Sequence, residues 1–194
     1  AYQLQKNIES LEHVVVVGGE GENSFEKLLL NHGLDNDPQI LNTLNDVTIT
    51  ADDIAQLVFT SGTTGEPKGV MHTANTLFSN IVPYAKRLHL SKDDVIFMGS
   101  PMAHQTGFMY GLIMPVLLKA KAVLQDVWDV NIAIDLIHKH EVTFTMASTP
   151  FLNDLSEAVL DTHQSLDSLK LFLCAGAPIP STLVQKARQN MGVK

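Results

Sequence analysis

Phe59-Thr60-Ser61-Gly62-Thr63-Thr64-Gly65-Glu66-Pro67-Lys68-Gly69-Val70 closes a short apolar run, and its reading decides the fold. The ten residues from Thr60 to Gly69 hold three glycines, four hydroxyls and one lysine. Glycines let a backbone turn sharply and bring N–H groups close to an anion. Hydroxyls donate to anionic oxygens, and lysine adds a mobile positive charge. Together they suit a chain of phosphates better than a single carboxylate. The stretch is not the GxxxxGKS/T loop. Gly62 and Gly65 are only three apart, Pro67 precedes Lys68, and Gly69 stands where Ser or Thr belongs.

Outward from this loop, short β-branched runs alternate with longer helical patterns. Leu57–Phe59 reads as a short buried strand. Further strands are expected at Val95–Met98, Ala122–Leu124, Val142–Met146 and Leu169–Leu173. A helix over Thr73–Lys86 is expected to be capped by Thr73 and disturbed near Pro83. Thr106–Leu118 reads as helical and apolar. Val130, Ala133, Ile134 and Ile137 fall at the i, i+3, i+4, i+7 spacing and predict a helix over Val130–His140. Pro150–Leu160 carries Pro150 in a first-turn position, and Ser181–Asn190 is expected to be capped by Ser181 and ended by Gly192. Strands separated by helices of this length indicate an α/β fold with a mostly parallel sheet and flanking helices. Ligands in such sheets sit beyond the carboxyl ends of strands, so the loops after Phe59, Met98 and Leu173 are the candidates. Upstream, Gly18–Asn23 is a Gly- and acid-rich break after Val14–Val17, and the polar stretch Asn31–Asp53 reads as a linker. Residues 1–53 are thus expected to be a strand, helix and linker segment, and residues 54–194 the main α/β body.

Composition excludes several classes. The 194 residues are 45% apolar and 18% charged, which is a globular balance rather than a disordered one. Lys plus Arg total 13 against 21 Asp plus Glu, a formal net charge of -8. An acidic chain without a basic run is a poor nucleic-acid binder and a poor ligand for anionic membranes. One cysteine, Cys174, excludes an internal disulfide. The longest apolar run, Gly107–Leu118, falls short of the roughly 20 residues needed to span a bilayer. No apolar signal core opens the chain, and the expected location is the cytoplasm. His138 and His140 are two apart on a helix and do not form a metal pair. No zinc spacing and no Ser-His-Asp set is present, and no metal-ligating residue is assigned. Cys174 reads as a small core residue, and Asp52 and Asp53 as caps or solvated acids ahead of Ile54.

Residues 59–70 resemble the phosphate-loop motif of the adenylate-forming superfamily, which holds acyl-CoA synthetases, peptide-synthetase adenylation domains and luciferases. Two further segments fit in the expected order, and the resemblance runs from about Leu11 to the end. It implies part of the N-terminal domain of an acyl-CoA synthetase-like fold, with residues 54–194 as its ATP- and acyl-binding subdomain. It also implies that Thr60, Ser61, Gly62, Thr63, Thr64, Gly65 and Lys68 hold the β and γ phosphates of ATP.

Ser100-Pro101-Met102-Ala103-His104-Gln105-Thr106-Gly107-Phe108 follows the strand Val95–Met98. Alone, His104 reads as a structural histidine. The resemblance implies instead a Pro-x-x-His segment bordering the acyl pocket, with His104 and Gly107 on the substrate side. No general base is needed, because the attacking carboxylate is already ionised near neutral pH. Peptide-synthetase domains usually place an aspartate in this segment to pair with an α-ammonium. No acidic residue lies between Ser100 and Leu118, and an unpaired buried ammonium would be costly. A lipophilic acid without an amino group fits better, although the apolar residues beyond Phe108 fit plain helix core equally well. Cys174-Ala175-Gly176-Ala177-Pro178 reads alone as a Pro-stopped turn whose small residues would let a flat ring lie against the backbone. The resemblance carries nucleotide contact to Gly176, Ala177 and Pro178, with Ala175 in place of the more usual glycine.

The implied reaction has two steps. A carboxylate attacks the α-phosphorus of ATP, giving acyl-adenylate and pyrophosphate. A thiol, commonly that of coenzyme A, then displaces AMP. Mg²⁺ and the 60–68 loop are expected to stabilise charge on the departing pyrophosphate. The glutamate, ribose-binding aspartate, hinge and small C-terminal domain with its lysine are expected beyond Lys194, so an internal piece of a larger ligase is anticipated. No catalytic residue is assigned within it, and it is expected to make no acyl-adenylate alone; ATP–pyrophosphate exchange by the chain with a simple acid would overturn that. The Met-Ala-His-Gln-Thr-Gly-Phe, Ala-Ser-Thr-Pro-Phe and Leu-Phe-Leu-Cys-Ala-Gly segments look most like short- to medium-chain fatty-acid and cyclohexanecarboxylate CoA ligases. Alternatives are an aryl-acid or carrier-protein-loading adenylating enzyme, and a nucleotide-binding module without chemistry.

Overall fold

A computed structural model of the chain describes residues 2–30, 37–60 and 65–194. The chain forms two compact units, Ala1–Thr50 and Ala51–Lys194. In the first, a short helix α1 (Tyr2–Gln5), a π-helical stretch Glu26–Leu30 and a helix α2 (Pro38–Asp46) are joined by irregular backbone. The expected strand near Val14–Val17 is only an isolated bridge between Val16 and Ser24. Its loop is closed by Gly18 N–H donating to Glu26 Oε1 at 2.9 Å. The expected linker contains α2, a correction with a local cause. Asp37 accepts the Gln39 N–H at 2.8 Å and Pro38 occupies the first turn, a start signal that the surrounding Asn and Asp residues obscured.

The second unit begins with a hairpin. Strand β1 (Ile54–Thr60) pairs antiparallel with β2 (Lys68–Thr73), with Phe59 opposite Gly69 and Thr60 opposite Lys68. Leu57–Phe59 is therefore neither buried nor part of the parallel sheet; Phe59 is 65% exposed. A continuous apolar run reads as a buried strand, but a two-stranded ribbon offers no second layer to cover it. Gly69 leaves room for its neighbours across the ribbon, since a side chain there would stand 3.1 Å from Leu57 Cδ1.

β2 runs directly into helix α3 (Ala74–Arg87), whose start carries a reciprocal cap. Thr73 Oγ1 accepts the Thr76 N–H, and Thr76 Oγ1 accepts the Thr73 N–H. The helix continues through Pro83 to Arg87. The remaining strands are β3 (Val95–Met98), β4 (Lys121–Leu124), β5 (Phe144–Ala147) and β6 (Leu171–Cys174). They form a parallel sheet of order β4-β3-β5-β6. A π-helical stretch Gly107–Ile113 and helix α4 (Met114–Leu118) connect β3 to β4. Helices α5 (Val130–His140), α6 (Thr149–Thr162) and α7 (Ser181–Met191) follow β4, β5 and β6. The start of α7 differs from expectation: Pro180 is the cap residue and no side chain caps it.

Side chains alternate across the strands and divide the core in two. Phe97, Val123, Ala147 and Phe172 point to one layer, packed with Ile134, Leu155, Leu183 and other residues of α5–α7. Ile96 and Phe144 point to the other, against Leu77, Ile81, Met109 and Met114. The result is a three-layer α/β/α arrangement. Several helices leave through a left-handed residue that is not glycine. His89 follows α3, and Lys119, Glu141 and His163 end α4, α5 and α6, all with φ of 54 to 57°. Gly192 ends α7, as the sequence predicts.

Candidate functional site

From β3 the chain moves outward to β4, then returns across β3 to β5 and continues to β6. The sheet order therefore reverses between β3 and β5, and the connecting helices part to opposite faces there. A parallel sheet leaves a crevice at such a point, beyond the carboxyl ends of its strands. A cleft of about 520 Å³ occupies that place. Its walls come from three segments beyond the strand ends: Ser100, Pro101 and His104 after β3, Ser148 with Pro150 and Phe151 of the first turn of α6 after β5, and Ala175–Ala177 after β6.

His104 is fixed by its own turn. Its backbone N–H donates to the Pro101 carbonyl at 3.0 Å, and its Nδ1 accepts the Thr106 N–H at 3.2 Å. With Nδ1 occupied as an acceptor, the neutral ring carries its proton on Nε2. The exposed edge of His104 is thus a donor, suited to orienting an anionic oxygen. Gly107, implied on the substrate side, packs against backbone. It is buried, and a Cβ there would lie 2.2 Å from the Pro101 carbonyl oxygen. It therefore lets the helix start press against the Ser100–Pro101 backbone and so sets the His104 turn; it does not line the cleft.

The β6 loop is tied down from two sides. Ala175 N–H donates to the Ala147 carbonyl at 3.2 Å, and Thr149 Oγ1 donates to the Pro178 carbonyl at 3.1 Å. Gly176 has φ +87° and open space where a side chain would stand, so the backbone itself faces the cleft. Gly176 and Ala177 line the cleft, whereas Pro178 holds the loop to α6. Near the opposite wall, Trp128 packs at a tilt of 59° against Phe151 with ring centres 4.5 Å apart and donates from Nε1 to Asp154 Oδ2 at 2.9 Å. Gly99 makes room for that indole, since a Cβ there would meet it at 2.9 Å.

The sequence reading missed Met146, Ser148 and Phe151 as lining residues. The connection from β5 to α6 is Ser148 alone, too short to look like a loop in a sequence. The uncapped start of α6 opens at this place, and helix starts favour negative charge.

The hairpin ends the described backbone at Thr60 and resumes it at Gly65; Ser61, Gly62, Thr63 and Thr64 lie outside the described residues. Thr60 Oγ1 and the Lys68 carbonyl are 3.5 Å apart across the hairpin base. Gly65 has open space around it, and Thr60 and Lys68 are exposed. Among the described residues no three His, Cys, Asp or Glu side chains gather as a metal shell. No helix among the described residues is long and apolar enough to cross a membrane.

The three-layer arrangement, with a cleft where the strand order reverses, is that of a doubly wound α/β domain. The chain belongs to the AMP-binding enzyme family, whose profile matches residues 2–194. It is similar to the medium-chain fatty-acid–CoA ligase of Escherichia coli strain K12, at 36% identity over 148 residues, 76% of this chain and 26% of that protein. It is also similar to the 2-succinylbenzoate–CoA ligase of Bacillus subtilis strain 168, at 30% identity over 176 residues, 87% of this chain and 35% of that protein. Among solved structures, o-succinylbenzoate coenzyme A synthetase from Bacillus subtilis, in complex with ATP and magnesium ion, matches with a TM-score of 0.66 at 28% identity. That match covers 74% of this chain and 30% of the other. The chain thus spans about a quarter to a third of the length of these proteins.

Proposed function

We propose that this chain supplies the nucleotide- and acid-binding part of an AMP-forming acid–CoA ligase acting on a lipophilic carboxylic acid of short to medium chain length or alicyclic form. The observation that carries this reading is the cleft at the sheet's reversal point, where the donor edge of His104 stands in one cavity with Gly176 and Ala177. Family membership and the two ligase relatives support the reaction class.

In this reading Gly176 and Ala177 present backbone to the flat base of ATP, while Thr60 to Gly65 and Lys68 hold its terminal phosphates. His104 Nε2–H orients one carboxylate oxygen, and the other attacks the α-phosphorus. The bond to pyrophosphate breaks, and charge grows on the leaving group beside the hairpin donors. A thiolate, with coenzyme A as the proposed donor, then attacks the acyl carbonyl and AMP leaves with the bonding electrons. The protein's contribution is placement and charge stabilisation rather than proton transfer to the acid.

An aryl acid is the second reading, favoured by the similarity to a 2-succinylbenzoate ligase. The test is acid-dependent ATP–pyrophosphate exchange and CoA thioester formation by the complete protein carrying this chain, with straight-chain, alicyclic and aromatic acids. Preference for straight-chain or alicyclic acids is expected. Preference for aromatic acids overturns the specificity assignment. Nucleotide binding with no exchange for any acid overturns the ligase reading in favour of a binding module.

A further inference from the structure

Two walls of the cleft are joined from behind. Gly99 leads from β3 into Ser100, which lines the cleft on one side, and Phe151 lines it on the α6 side. Trp128, in the turn between β4 and α5, reaches both. Its ring centre lies 4.5 Å from that of Phe151, and its Nε1 donates at 2.9 Å to Oδ2 of Asp154, three residues further along α6. On its other side the indole lies against Gly99. A Cβ there would meet Trp128 Cε3 at 2.9 Å and Phe151 Cε1 at 3.5 Å.

The turn that carries Trp128 is tied at both ends. Gln125, a buried residue, donates its backbone N–H to the Met98 carbonyl at 3.0 Å and its Nε2 to the Asp129 carbonyl at 2.9 Å. Asp129 in turn caps α5, accepting the Asn131 and Ile132 N–H groups at 2.9 and 3.1 Å. The indole is thus anchored to β3 and α5 and bonded to α6.

Filling space at this place needs only an aromatic ring, and an indole brings an N–H as well. That donor must find an acceptor when it leaves water, and here it finds a carboxylate. A charge-assisted bond of this kind is short and strong, so it fixes the rotation of the ring and the placement of Asp154 against it. Close-packed interiors pass a displacement on rather than absorb it. Gly99, Trp128, Asp154 and Phe151 therefore form one stiff link between the end of β3 and the first turns of α6.

Resting on the acid-activating reading above, we infer that Trp128 and Asp154 are positioning residues for that reaction. They hold the α6 wall, with Phe151 and the uncapped helix start, at a fixed separation from the β3 wall that carries His104. Neither lines the cleft. What they set is the line from carboxylate oxygen to α-phosphorus, where a misplacement of about 1 Å costs about a hundredfold in rate.

The test is ATP–pyrophosphate exchange by the complete protein carrying this chain, with the acid that the unsubstituted protein exchanges fastest. Trp128→Phe keeps a ring and removes the donor, Asp154→Leu removes the acceptor, and Gly99→Ala crowds the indole from the other side. In each, kcat is expected to fall about tenfold while the KM for ATP stays within about twofold. Asp154→Asn keeps an acceptor oxygen and is expected to hold kcat within about twofold of the unsubstituted protein. Combining Trp128→Phe with Asp154→Leu should cost no more than either alone, because the two act as one link. Val159→Ala, at a buried position of the same helix, is the reference for plain loss of packing, and its kcat is expected to hold despite a lower urea midpoint. The inference is overturned by an unchanged kcat in any folded variant of the first three. It is equally overturned by Val159→Ala losing kcat to the same degree, or by Asp154→Asn doing no better than Asp154→Leu. Each of these results leaves the ligase reading standing. No exchange by the unsubstituted protein with any acid overturns both. The three variants act at three different residues, so one that folds is enough to decide.

Discussion

The β1–β2 hairpin and the four-stranded sheet place functional groups by opposite means. The hairpin is local: its two strands lie seven residues apart in sequence, and its apolar side chains stand largely exposed. Its chemistry is written in consecutive residues. The cleft is assembled from three segments, with forty-seven residues of sequence between Ser100 and Ser148 and twenty-six between Ser148 and Ala175, and each segment is carried by a strand with core on both faces. In the proposed reading the hairpin meets a flexible phosphate chain, whereas the cleft must hold a carboxylate in line with phosphorus, which requires a rigid frame.

That contrast predicts unequal responses to substitution. Phe144, fully buried in the central strand β5, should lose about 3–5 kcal/mol of stability on change to alanine. Phe59→Ala, on the exposed ribbon, should cost no more than about 0.5 kcal/mol. Urea unfolding of both variants measures the difference, and equal losses would show that the ribbon is covered in solution. Next in size, Lys68→Ala in the complete protein is expected to lower ATP-dependent turnover about a hundredfold, with the KM for the acid moving far less. A parallel loss in acid affinity would remove the division of labour between hairpin and cleft.

Gly107→Ala tests the stiff region from within. Its Cβ would overlap the Pro101 carbonyl, so a loss of about 1–3 kcal/mol is expected, together with a raised KM for the acid and an unchanged KM for ATP. The smallest effect concerns alkaline pH. Burial pushes the Tyr84 hydroxyl well above its ordinary value of 10.0, and Tyr110 moves the same way. The folded state therefore holds these protons more tightly than the unfolded chain. Their contribution is fully present below pH 10 and is lost as pH rises through the folded-state values. Tyr84→Phe should flatten the alkaline limb of a stability–pH curve measured by thermal unfolding.

The parallel sheet was legible because its signals are periodic and local. Val95–Met98 and Val130–His140 have the predicted bounds, and the Thr73 cap lies where its side chain places it. What escaped depends on pairing at a distance. Nothing in Leu57–Phe59 says that its partner is Lys68–Thr73 rather than a buried parallel neighbour. Met146 and Phe151 join the cleft only because β5 lies next to β3 in the sheet. At Gly107, implied on the substrate side, the structure shows close backbone packing, which no motif distinguishes from ligand contact.

The left-handed corners carry a practical consequence. His89, Lys119, Glu141 and His163 all lie where helices turn back towards the amino-terminal ends of strands, at the opposite rim from the cleft. Each holds a side chain in a conformation that glycine accepts freely, at a cost of about 1–2 kcal/mol, against about 0.5–1 kcal/mol of added chain entropy for glycine. Hardening the scaffold and preserving its proposed chemistry are therefore separable tasks, because the left-handed corners and the cleft proposed to receive substrate occupy different ends of the same sheet.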